Sequence, residues 1–272
     1  MVSSWKILNQ VLDCSKPKVV GILNLTPDSF SDGGQYIQPK KALVHAEEMV
    51  EEGADILDLG AESTRPGAQE VLLEEEWQRL YPVLKTIRPR LKLPISIDTQ
   101  KGEIARRALE EGADIINDVS GGSDTQLLKA VQKSGAGLVL MHRRGKAFNM
   151  MEHAYYDHLY EEVLLELKAS LQKALAWEID LQNICLDPGF GFAKTTSQNW
   201  ELFGKIKEMR LSLQRPLWVG VSRKRMIKAQ VGEDLEQIEA ASVQAALEAA
   251  KQGASFLRVH AVGKTRQALK RL

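Results

Sequence analysis

One unit recurs along the 272 residues: a short apolar, β-branched run, a polar or glycine-containing turn, then a longer stretch with apolar residues at helical spacing. The strand-like runs cover 19–26, 54–61, 95–99, 113–120, 137–142, 184–189, 217–222 and 256–262. The helix-like stretches lie near 39–52, 73–88, 101–111, 125–134, 155–178, 197–209, 235–252 and 264–272. Several of these stop at a Gly-Ala pair (Gly53-Ala54, Gly112-Ala113, Gly135-Ala136, Gly253-Ala254), where glycine supplies a left-handed cap. The strand-like runs show no apolar–polar alternation, so both of their faces are expected to be buried, as parallel strands require. Strict β-then-α order repeated eight times predicts an α/β protein, a TIM-type (β/α)₈ barrel of eight parallel strands with outer helices, in one domain over residues 1–272. The rival is an open doubly wound sheet. It calls for a glycine-rich phosphate turn after one strand and few polar residues at the other strand ends. Here polar residues close nearly every run, and a barrel brings those ends to one mouth. Residues 1–17 are expected to cover the barrel bottom or add a small hairpin.

Composition excludes several classes of partner. Lys plus Arg and Asp plus Glu balance at 36 each, so no global field draws the chain to nucleic acid or an anionic membrane, and any anion must be held by a local cluster. No apolar run approaches the roughly 18 residues a membrane span needs, and Cys14 and Cys185 have no metal or redox spacing. A reduced, cytoplasmic protein acting on small molecules is the expectation, with no nucleic-acid or membrane partner.

The polar strand ends carry the chemistry. After the first run comes Asn24-Leu-Thr-Pro-Asp-Ser-Phe30-Ser-Asp32-Gly-Gly34, longer than a βα connection needs and holding Phe30 amid polar residues, as a lid over a ligand would. The second run ends in Asp58, then Glu62-Ser-Thr64-Arg65-Pro66-Gly67, where a guanidinium beside hydroxyls suits an anion. Asp98-Thr99, Asn117-Asp118, Met141-His142 and Asp187-Pro-Gly189 end the next four. Asp98 alone reads as a helix N-cap. As a set, carboxylates and an amide in a mouth lined by Met141, Phe190 and Phe192 could read a flat heterocycle with several N–H groups. Ser222-Arg-Lys224-Arg225 follows the seventh run; alternation puts Arg258 and His260 of the eighth on one side. Arg65, Lys224, Arg258 and His260 would then form a positive patch opposite the acidic set, at the strands where barrels often bind phosphate.

With these segments in this order, from Val20 to Val262, the chain resembles the dihydropteroate synthases, the pterin-binding barrel family. The resemblance implies a transferase of folate biosynthesis, in which a dihydropterin bearing a hydroxymethyl diphosphate loses diphosphate to p-aminobenzoate. By matching position it implies that Asp98, Asn117, Asp187, Gly220 and Lys224 hold the pterin, that Met141 and Phe192 wall the slot, and that Arg258 packs on its face. Asn24 would contact Mg²⁺. Asn24, Arg65, Arg258 and His260 would hold the diphosphate, and Phe30, Thr64, Pro66 and Lys224 would shape the p-aminobenzoate pocket. Asp32, Lys224, Arg258 and His260 would act in catalysis. The family also leads us to expect a homodimer through the last helices, where 235–252 is alanine-rich; a buried layer of the same barrel explains that composition equally well.

Three positions depart from the family pattern. Ala193 stands where glycine is usual, Arg225 where some members have serine, and Ala261 where Asp or Asn is common. Both alanines are tolerable if their backbone angles are helical or extended. Arg225 could change how the p-aminobenzoate carboxylate is held. A corrinoid methyltransferase of the related barrels, or a non-catalytic pterin-binding paralogue, are the alternatives. The lid, the Ser-Arg-Lys run and the Arg–His pair argue against the first; the presence of Lys224, Arg65 and the lid residues argues against the second.

Overall fold

The computed structural model describes residues 2–25 and 38–272. The strands are β1 (Ser4–Ile7), β2 (Gln10–Asp13), β3 (Lys18–Asn24), β4 (Ile56–Gly60), β5 (Ile95–Thr99), β6 (Ile115–Asp118), β7 (Gly137–Met141), β8 (Ile184–Asp187), β9 (Trp218–Val219) and β10 (Phe256–Val259). The α-helices are α1 (Gln38–Glu51), α2 (Leu73–Ile87), α3 (Gly102–Glu110), α4 (Thr125–Ser134), α5 (Leu159–Ala176), α6 (Thr196–Phe203), α7 (Ile206–Leu213), α8 (Arg225–Val231), α9 (Leu235–Lys251) and α10 (Val262–Leu269). Strands β3 to β10 form one sheet in the order β8-β7-β6-β5-β4-β3-β10-β9, every pairing parallel. A parallel bridge between Leu186 and Leu217 joins the two edges, and the expected barrel is closed.

Both faces of the strands are buried, as the lack of alternation predicts. One face packs on the helices through residues such as Leu57, Leu59, Ile97 and Leu138. The other fills the barrel's amino end with Val20, Ile56, Ile115, Val139, Cys185, Trp218 and Phe256. The antiparallel hairpin β1–β2 closes that end, with Trp5 and Ile7 fully buried among these side chains. The four Gly-Ala stops all have a left-handed glycine.

Two helices depart from the sequence reading by more than the position of their ends. The expected helix at 197–209 is two helices, because Gly204 and Lys205 tighten the chain into a turn with Lys205 N donating to Leu202 O at 3.0 Å. Helix α8 lies where the sequence reading places no element, between 222 and 235; its apolar Met226 and Ile227 are buried, and tertiary packing outweighs the run of cations before it.

Candidate active site

Register decides which strand-end residues meet. Asn24 pairs with Gly60, Gly60 with Asp98 and Asp98 with Asn117; Asn117 pairs with Val139, and Met141, two residues further along β7, pairs with Asp187, so all of these share the inward face near the carboxyl rim. Alternation turns them into the mouth and turns their neighbours outward. Thr99 donates to Glu76 at 2.7 Å; Asp118 accepts from Ser120 N at 2.8 Å and Gly122 N at 2.6 Å; His142 is met by Lys194 and Glu166. Of each adjacent pair of candidates, one faces the mouth. Asp98 is no helix cap, since Lys101 occupies the N-cap of α3.

Charge is distributed differently from the expected two flanks. Arg258 reaches across from β10, its Nε donating to Asp58 Oδ2 at 2.5 Å and its Nη2 to Asp98 Oδ2 at 2.7 Å. Asn117 Nδ2 donates to the same Asp58 oxygen at 3.3 Å. Acid and base are interleaved, and Asp58, fully buried, anchors the network. Its role was missed from sequence; the available signal was a lone carboxylate inside an otherwise apolar strand, Ile56-Leu-Asp-Leu-Gly60. Three buried acceptors, Asp58 Oδ1, Asp98 Oδ1 and Asn117 Oδ1, have no hydrogen-bond partner among the described residues. Such groups are costly unless a ligand's donors meet them. Burial pushes the carboxyls of Asp98 and Asp187 above their usual range, although Arg258 opposes this at Asp98 and Lys224 at Asp187.

Opposite stands Lys224, the N-cap of α8. Its ammonium donates to Phe190 O and lies 4.6 Å from the centroid of the Phe192 ring. A side chain on Gly191 would come within 3.0 Å of the lysine stem, so glycine admits it. Burial pulls Lys224 down to about 8, against the pull of Asp187. Met141 and Phe192 belong to one buried apolar cluster here, with Val119, Met150 and Ala193. Phe190 does not line the mouth: its ring lies edge-on to Phe203 of α6, centroids 5.8 Å apart, and only its carbonyl turns inward. Gly220 faces Arg258, and a Cβ there would stand 3.6 Å from its stem, in ordinary van der Waals contact.

His260 accepts from or donates to Ser222 Oγ at 3.0 Å through Nδ1. Burial, then the charges of Arg223, Arg258 and Arg65, pull it down to about 3, so it is neutral at pH 7 and is no part of a positive patch. Arg65 is exposed, with Thr64 and Pro66 half-buried beside it. Their loop is tied down by Glu62, which accepts from Val71 N at 3.0 Å, Gln100 at 3.2 Å and Lys101 at 2.8 Å. Arg225 is exposed and reaches Met151 Sδ at 3.0 Å. Ala193 has φ +48°, neither helical nor extended, which is why glycine suits that position; Ala261 has φ −95° and ψ 77°. Phe30 and Asp32 lie outside the described residues. No group of three or more His, Cys, Asp or Glu side chains among the described residues forms a metal-binding set. A separate cleft of about 400 Å³ lies at the hairpin end, lined by Lys6, Gly135, Asp180 and Asn183, remote from these groups.

The sequence matches the family model described as pterin binding enzyme across residues 20–260. It is 44% identical over 270 residues to the dihydropteroate synthase of Neisseria meningitidis serogroup C, covering 98% of this chain and 95% of that protein. The chain belongs to the dihydropteroate synthases. A structure of the Xanthomonas albilineans synthase with 4-aminobenzoic acid matches with a TM-score of 0.92 at 40% identity, covering 100% of this chain and 97% of that one. A second structure of that synthase, in complex with 7,8-dihydropteroate, matches with a TM-score of 0.88 at 38% identity, covering 98% and 97%. The enzyme is a transferase of folate biosynthesis, joining a dihydropterin to p-aminobenzoate with release of diphosphate. The corrinoid methyltransferase alternative is set aside.

Proposed function

We propose that the dihydropterin diphosphate binds with its ring in the slot between Met141 and Phe192, its N–H edges met by Asp98, Asn117 and Asp187, with Lys224 across from them. The observation that carries this reading is the set of unpartnered acceptors on three adjacent strands, which match a donor-rich heterocycle. Arg258, held flat by Asp58 and Asp98, packs against the ring face. Arg65, Arg258 and His260 take the diphosphate, His260 as a neutral N–H donor.

In the reaction the methylene C–O bond breaks and diphosphate leaves with the electron pair. The amine lone pair of p-aminobenzoate forms the C–N bond, and its proton passes to solvent. An aniline amine is unprotonated at neutral pH, so no strong base is required. The carboxylates of Asp98 and Asp187 stabilise positive charge developing on the pterin, and the guanidinium groups meet the negative charge developing on the leaving group. Thr64, Pro66 and Lys224 border the p-aminobenzoate, with Phe30 and Asp32 assigned to the lid that excludes water.

A single amide at the rim suits a Mg²⁺ that keeps its waters and is carried mainly by substrate phosphates, and Asn24 at the end of β3 is placed to be its protein ligand. When bound, the ion neutralises charge on the diphosphate. We extend the proposal to a cytoplasmic homodimer. Ala245, Ala246 and Ala249 of α9 are buried against their own barrel, so a dimer face would use the outer side of the last helices, where Leu235 is exposed.

The test is diphosphate release from purified protein with the pterin diphosphate, p-aminobenzoate and Mg²⁺. Release requiring p-aminobenzoate in the wild type, and lost in Asp98→Asn and Lys224→Ala with the fold intact, supports the assignment. Wild-type rates in those variants would remove it.

A further inference from the structure

Two residues after the slot's Phe192 lies a lysine that the reaction does not use. Lys194 is 1% exposed, yet its Nζ has three acceptors: Gly189 O at 3.0 Å, Phe192 O at 3.1 Å and His142 Nδ1 at 2.9 Å. Three acceptors match the three N–H bonds of an ammonium; a neutral amine would leave one unmet. The Glu166 carboxylate can only accept, so His142 Nε2 carries the ring proton and donates it to Glu166 Oε2 at 3.0 Å, which leaves Nδ1 of the neutral ring to accept from Lys194. Glu166 is held in turn by Arg144, whose guanidinium lies 4.0 Å from the centroid of the Tyr156 ring. A connected chain of charge and hydrogen bonds therefore runs from the surface of α5 to the turn that walls the slot.

That turn is unusual in its backbone. Gly189, Gly191 and Ala193 all have positive φ, at +68°, +84° and +48°. A side chain on Gly189 would stand 1.9 Å from His142 O, so the turn can only be built this close to β7. A left-handed alanine persists only where its surroundings over-determine it, and Lys194 spans the turn from Gly189 to Phe192. From the other side Lys224 grips the same turn, at Phe190 O and over the Phe192 ring. Asp187, which precedes the turn, lies within the electrostatic reach of both ammonium groups.

We propose that Lys194 is a positioning residue for the pterin slot: its buried ammonium, oriented by His142 and Glu166, clamps the 189–193 turn so that Phe192 and Lys224 meet the ring, and stands behind Asp187 as a second counter-charge. The proposal rests on the pterin reading of Asp187, Phe192 and Lys224 given above. The groups facing Lys194 are His142 at the end of β7, Asp187 of β8, Lys224 of α8, and Glu166 and Arg144 beyond the imidazole. Burial pulls Lys194 down to about 7 and His142 down to about 4, so the clamp loses its proton as pH rises past neutrality and its imidazole acceptor only in acid.

The experiment uses the full chain. Quenching of 6-hydroxymethylpterin fluorescence gives ring affinity, and steady-state kinetics give separate KM values for the pterin diphosphate and p-aminobenzoate. If the wild type fails to quench, the slot assignment itself is wrong. With wild-type quenching in hand, Lys194→Met is expected to weaken pterin binding and raise the pterin KM at least tenfold. The p-aminobenzoate KM should stay within about twofold, and circular dichroism should be unchanged. Equal rises in both KM values, or a pterin KM within twofold of wild type in a folded variant, overturn the clamp. Should Lys194→Met not fold, the His142 pair decides. His142→Phe keeps a buried ring but removes the acceptor and should raise the pterin KM at least threefold. His142→Asn, whose Oδ1 can replace Nδ1, should restore it. Indistinguishable pterin KM values in the two His142 variants would also overturn the proposal.

Discussion

The two ends of the barrel are made by the same strands and do opposite work. At the amino end the inward side chains are Val20, Ile56, Ile115, Val139, Trp218 and Phe256, sealed by Trp5 and Ile7 of the hairpin. Trp5 lies edge-on to Phe256 and Trp218, with centroids 4.9 and 6.2 Å apart, and its indole N–H donates to Asn183 O at 2.7 Å. At the carboxyl end the inward positions two to four residues further on are Asp58, Asp98, Asn117, Asp187, Arg258 and His260; acceptors on Asp58, Asp98 and Asn117 are unmet among the described residues, and burial raises the carboxyls of Asp98 and Asp187 and lowers His260. Stability is concentrated where the barrel is apolar and filled. Chemistry is concentrated where it is polar and incompletely satisfied, a cost the filled end can offset.

That division can be broken by mutation. Trp5→Ala should lower unfolding free energy by about 3–5 kcal/mol, as for a large aromatic removed from a packed core, with both KM values unchanged in the folded enzyme; urea denaturation beside kinetics checks this. Lys224→Ala should do the reverse, reducing kcat/KM by about 10²–10³, the scale of one preorganised charge contact, while the urea midpoint stays near wild type. A midpoint that collapses in Lys224→Ala would mean that the mouth also carries the fold. The ammonium of Lys224 is lost as pH rises through about 8, so kcat/KM should fall on that alkaline side. On the acid side it should fall above the ordinary carboxylate range, because burial raises Asp98 and Asp187 and their anions are lost earlier as pH drops. An activity flat from pH 6 to 9 would contradict both. The smallest effect belongs to Ala193→Gly, which relieves a left-handed alanine at the expense of a more flexible unfolded chain; a gain below about 1 kcal/mol is expected in the same urea assay.

Much of this architecture is readable along the chain because it is periodic. Unbroken apolar runs, helical spacing and Gly-Ala stops are local patterns that specify eight β-then-α units, and the period of two selects Asp98 over Thr99 and Asn117 over Asp118 once the mouth is known. The split at Gly204 and the short helix α8 escaped because their boundaries depend on what packs against them.

The sequence by itself determined the barrel, the end that bears the polar residues, and the resemblance those residues carry. Only the tertiary structure decided that Arg258 would lie between Asp58 and Asp98, that His260 would be neutral, that Phe190 would turn outward, and that Lys194 would be buried under the slot. The reason is physical: hydrogen-bonding reach and the cost of burying charge depend on neighbours up to 200 positions away in the chain, as Arg258 is from Asp58, and no local period encodes them.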